Sequence, residues 1–76
     1  MTVREIFELN NRDIECSIQF QFEHHALSRC TTAIDTTLSM IDRFYDAGYL
    51  TKKDRGELQK ELARMLHEIQ EKWDRR

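Results

Sequence analysis

The sequence predicts an all-α protein built on an antiparallel helical hairpin, and three observations predict it. Leu27, Cys30, Ile34, Leu38, Ile41, Phe44 and Tyr45 recur every three or four residues, as do Leu58, Leu62, Met65, Leu66, Ile69 and Trp73. Gly48-Tyr49-Leu50-Thr51 separates the two stripes with turn residues, and no proline occurs anywhere in the 76 residues. Apolar positions at that spacing share one face of a helix, and two such faces joined by a tight turn fold back on one another.

The first long helix is expected over about 24–47. Phe20, Leu27, Ile34 and Ile41 stand seven apart, and Cys30, Thr37 and Phe44 form a second seam of the same heptad. Gly48 suits the position just past a helix end, where a left-handed backbone costs glycine little. The second long helix is expected over about 52–74, with Thr51 as its N-cap and Asp54 completing a capping box. Gly56 in its first turn costs about 1 kcal/mol relative to alanine and is read as a tolerated surface glycine. Equal helix lengths and a short turn favour a shallow crossing angle, as in four-helix bundles.

The N-terminal segment is read as helical. Thr2 and Glu5 have capping-box spacing, and Val3, Ile6, Phe7 and Asn10 are placed on one face of a short helix. Asn10-Asn11 is expected to interrupt it, since asparagine tolerates turn geometry. From Asp13 to Glu23 the pattern is double. Ile14, Cys16, Ile18, Phe20 and Phe22 alternate with polar residues, a strand signal of period two, while Ile14, Ile18, Phe22 and Ala26 share a helical face. Helix is preferred, and a strand over 13–23 in an α+β fold is the alternative. The helix would be apolar on two sides and so buried between neighbours in an assembly.

One domain, 1–76, is expected, with a core small enough that oligomerisation is a natural source of added stability. The formal charge is −2, and the lysines and arginines of residues 51–76 are accompanied by six carboxylates. That leaves no concentrated positive face for duplex binding, so a nucleic-acid partner is not expected. Two cysteines, Cys16 and Cys30, are too few for a disulfide framework and read as reduced thiols in a cytoplasmic protein. Neither a secretory h-region nor an apolar run of membrane-spanning length is present.

No constellation for chemistry assembles. His24 and His25 are adjacent, hence about 100° apart on a helix, and no Cys-x-x-Cys or His-x-x-x-His accompanies them. They read as a surface pair, with His25 and Arg29 one turn apart. His67 lacks a glutamate three residues earlier, so the di-iron bundle signature is missing. Ser28, Thr31, Thr32, Thr36, Thr37 and Ser39 are expected to bond back to preceding carbonyls, with Thr37 able to specify register from within an apolar seam. Catalytic, cofactor and metal residues are therefore expected to be absent, and no enzyme activity is expected.

The residues expected to form core or interface are Phe20, Phe22, Leu27, Cys30, Ile34, Ile41, Phe44, Leu58, Leu62, Met65 and Ile69, with Tyr45, Tyr49 and Trp73 as binding anchors. The expected function is a small non-enzymatic protein-binding regulator or inhibitor, acting through apolar helix faces as a homodimer or higher oligomer. In size, acidity and lack of a site, the chain is similar to small regulators encoded by phages and other mobile elements, an analogy of class alone. Two alternatives remain. One is a ribbon-type DNA-binding regulator, which needs the strand at 13–23 and is opposed by Asp13, Glu15 and Glu23 on its polar face. The other is a small-ligand binder with its pocket between chains.

Overall fold

The computed structural model describes residues 1–20 and 24–74. Three helices, α1 (Val3–Phe20), α2 (His24–Asp46) and α3 (Lys52–Asp74), pack against each other, with no strand among the described residues. The architecture is an all-α bundle, and its hairpin ends within a residue of the expected bounds. Gln21, Phe22 and Glu23 lie outside the described residues, so the expectation for Phe22 does too.

The hairpin closes through local chemistry. Gly48 has φ of 89°, its N–H donates to Tyr45 O at 3.0 Å, and the Tyr49 N–H donates to Phe44 O at 2.9 Å. These two bonds satisfy the last carbonyls of α2 in a Schellman motif. The chain then passes through buried Leu50 to Thr51. Thr51 Oγ1 accepts from the Asp54 N–H at 3.0 Å, while Asp54 Oδ2 accepts from the Thr51 N–H at 3.1 Å. Thr2 and Glu5 exchange the same pair of bonds at the start of α1, both at 3.1 Å. No neighbouring atom approaches where a Cβ would sit on Gly56, so no close packing explains it.

One expectation for the N-terminal segment is corrected and one is met. The break at Asn10-Asn11 does not occur, and residues 13–20 are helix, the preferred reading, not the alternative strand. Tertiary packing overrides the local signals for turn and strand. Phe7, Ile14 and Ile18 at helical spacing enter the same core as Leu27, Ile34, Ile41, Leu58, Leu62, Met65 and Ile69. Period-two reading of the segment would send Cys16 inward with Ile14 and Ile18, yet Cys16 is exposed. Ile6 is also corrected: Val3 and Phe7 pack on the core, whereas Ile6 is exposed, because adjacent positions differ by about 100°.

Asn11 is fully buried, and among the described residues neither end of its amide has a hydrogen-bond partner. Leaving such a group unsatisfied costs about 1–3 kcal/mol. Its neighbour behaves differently. Asn10 Nδ2 donates to Thr37 Oγ1 at 3.0 Å, and Thr37 Oγ1 donates onward to Ala33 O at 2.8 Å. Thr31 and Thr32 bond back to Leu27 O and Ser28 O, the use expected for helix hydroxyls.

Candidate protein-docking surface

Helix α1 is held against the hairpin along two seams of different chemistry. On the α3 side the seam is ionic. The Arg4 guanidinium reaches Glu8 at 2.7 Å, Asp54 at 2.6 Å and Glu57 at 2.8 Å. Farther along, Arg64 pairs with Glu15 at 2.6 Å and with Glu68 at 2.9 Å, and Lys72 Nζ donates to Ile18 O. These contacts rise together along both helices, so α1 runs parallel to α3. Hydrogen bonding to Arg4 holds the Asp54 and Glu57 carboxyls below the usual carboxylate range, Asp54 being lowered further by its Thr51 cap.

On the α2 side the seam is largely uncharged. The Phe7 ring meets Phe44 edge-on at 5.5 Å, and the Asn10–Thr37 bond lies farther along α1 and earlier along α2, so the two helices are antiparallel. Below that bond, Ile14, Ser17, Ala26, Arg29, Cys30 and Ala33 line an open groove of about 280 Å³. Cys30 is buried there, and desolvation pushes its thiol pKa up, opposed in part by Lys72. A thiol in that state is a packing element, not a nucleophile.

On the outer side of the same two helices several large apolar side chains are exposed. Ile6, Leu9 and Phe20 on α1 are 53%, 44% and 71% exposed, and Met40 on α2 is 43% exposed. Ile6, Leu9, Asp13, Cys16 and Phe20 follow one another by three or four residues, forming a second stripe on the side of α1 turned away from the core. Across the seam, Ala33, Thr36, Met40 and Arg43 continue the face along α2, with Arg29 toward its other end. Arg29 Nη2 contacts His25 Nε2 at 3.1 Å. Asp13 and Arg43 take no part in an ion pair among the described residues.

The residues singled out by sequence distribute over three places. Leu27, Cys30, Ile34, Ile41, Leu58, Leu62, Met65 and Ile69 are buried, and Phe44 packs against that core half-buried. Phe20 stands on the outer stripe of α1. The aromatic anchors are at opposite ends, as the turn requires: Tyr45 is half-buried beneath the Arg55 guanidinium at 4.2 Å, and Tyr49 is exposed but touches Phe44 edge-on at 5.8 Å. Trp73, 36% exposed, borders a second open groove with Ser28, Thr31, Thr32, Leu66, Ile69 and Gln70. Ile6, Leu9 and Met40 were not anticipated as surface features. The three-and-four spacing of Ile6, Leu9, Asp13, Cys16 and Phe20 was the signal available for the first two.

Among the described residues, no group of three or more His, Cys, Asp or Glu could hold a metal ion, and no helix is long and apolar enough to cross a membrane. No family model, curated protein or solved structure matches the chain. The arrangement presents shape, exposed apolar side chains and the two open grooves on its surface.

Proposed function

We propose that this protein is a non-enzymatic protein-binding module, a small cytoplasmic regulator or inhibitor that works through an apolar helix face as a homo-oligomer. The observation that carries the reading is the α1/α2 face, where Ile6, Leu9, Phe20 and Met40 stay exposed although α1 already closes the hairpin's core. Single exposed apolar residues are ordinary on protein surfaces, but four large ones on one face of two packed helices, interspersed with Asp13 and Thr36, suit a mixed polar and apolar interaction site. The ribbon-type DNA-binding alternative needs a strand at 13–23, and residues 13–20 are helical, which favours the protein-binding reading.

The test is capture from the cells that produce the protein, with the immobilised chain set against an Ile6→Lys, Phe20→Lys, Met40→Lys variant. All three positions are exposed, so the variant keeps its helical circular dichroism. A protein held by the wild type and released by the variant is the expected result. Equal retention by both chains, or none by either, overturns the reading.

A further inference from the structure

The α1/α2 face has two unlike halves. The α1 half carries the bulk, with Ile6, Leu9 and Phe20 standing out from it, and its charge at the centre is the carboxylate of Asp13. The α2 half is low, with Ala26 and Ala33 beside the groove and Met40 as its large apolar side chain, and its charges are Arg29 and Arg43. Bulk and acid on one side, shallow relief and base on the other, make a surface complementary to itself.

We infer that this face binds a second copy of the chain about a two-fold axis running along the bundle, so that α1 of each copy lies antiparallel across α2 of the other. The inference rests on the face being a protein-binding surface and names its occupant. Isologous contacts of this kind use the same patch twice. A rotation about an axis parallel to the helices keeps every residue at its height, and the heights are fixed within one chain by the Asn10–Thr37 bond and the Phe7–Phe44 contact. Ile6 of the second copy therefore comes level with the stretch from Ile41 to Tyr45, beside Met40. Phe20 of the second copy comes level with the stretch from Leu27 to Thr31, over the alanine-lined groove.

The charges follow the same geometry. Asp13 of the second copy lies beside Thr36, between Arg29 and Arg43. Glu5 of the second copy comes level with Arg43 on the outer edge. The other face-to-face arrangement turns the axis across the helices and stacks α1 on α1 and α2 on α2. It gathers the arginines into one column and sets acid against acid in the other, and like charges so placed cost several kcal/mol.

Area sets the strength. The 18 residues of α1 span about 27 Å, and two helices side by side are roughly 18 Å wide. That outline of about 500 Å², corrugated by side chains, approaches the ~800 Å² per partner of a standard interface without exceeding it. The dimer is accordingly in exchange with monomer rather than obligate.

The experiment is sedimentation equilibrium of the full chain from micromolar to millimolar concentration, applied to wild type, Asp13→Lys, the double variant Arg29→Glu, Arg43→Glu, and an equimolar mixture of the two variants. These positions are exposed, and thermal melts establish that each variant is folded. Wild type should dimerise, and each variant alone should dimerise roughly tenfold or more weakly. The mixture should recover the wild-type association, because in a mixed dimer both contacts again match acid to base. A wild type that stays monomeric throughout overturns this inference and the homo-oligomeric part of the proposed reading, while protein binding itself is left to the capture test. A dimer indifferent to all the variants, or a mixture no tighter than its components, also overturns it.

Discussion

The seam between α1 and α3 and the seam between α1 and α2 hold the same helix by opposite means. Along α3, Arg4, Glu15, Arg64 and Lys72 tie the helices with ion pairs and one side-chain-to-carbonyl bond. Along α2 the described links are an aromatic edge and one amide-to-hydroxyl bond, beside a groove and an apolar rim. Exposed ion pairs give direction and register but little free energy, with a median near 0–1 kcal/mol. The contrast teaches that α1 is positioned by its charged side and held by its buried side, while its third side stays exposed.

The largest expected effects break both seams at once. Ile18 and Ile34 have no exposed surface, so Ile18→Asp or Ile34→Asp buries a charge without a partner and should abolish cooperative thermal unfolding. If either variant melted like wild type, the bundle would be wrong. Ile18→Ala, which removes bulk without adding charge, should lower stability by about 2–5 kcal/mol in urea denaturation.

Asn11→Leu runs the other way. It removes two unsatisfied polar atoms from the core and should raise the urea midpoint, by about 1–3 kcal/mol in stability. A loss of stability on that change would mean that the amide is satisfied in solution, by a water or a partner group. Asn10→Ala tests the α2 seam alone. It deletes the bond to Thr37, whose hydroxyl keeps Ala33 O, and should cost about 0.5–1.5 kcal/mol.

The smallest effect sharpens the α3 seam by pH. Arg4 depresses the Asp54 and Glu57 values, so their contribution is present above the ordinary carboxylate range and disappears as pH falls through the lowered folded values. Below about pH 4, wild type should lose stability more steeply than Arg4→Met. Parallel acid-melting curves for the two proteins would remove the ionic seam from the account.

How much of this could be read from the residues depended on how local each signal was. The hairpin was fully readable: its period, its capping boxes and Gly48 act over a turn or two of chain. The segment 1–23 was not, because alternation and helical spacing coexist from Ile14 onward, and only the docking of Phe7, Ile14 and Ile18 on a distant hairpin decides between them. Ile6 was placed beside Phe7, although one residue's rotation of about 100° carries it off the core-facing side. The Arg4 and Arg64 clusters join residues some fifty positions apart and depend on α1 lying parallel to α3, which no spacing in the sequence encodes.

Asn11 also sets the order in which the molecule comes apart. The α2/α3 hairpin is closed by a tight turn and two caps, whereas α1 meets α3 through residues some fifty positions apart and carries the unsatisfied amide at its centre. Such an element is a separate cooperative unit whose opening free energy lies below that of global unfolding. In native-state hydrogen exchange, the amides of α1 should lose protection together and first, while those around Ile34 and Leu62 persist to the global limit. On that outcome the first helix should open while the other two stay folded.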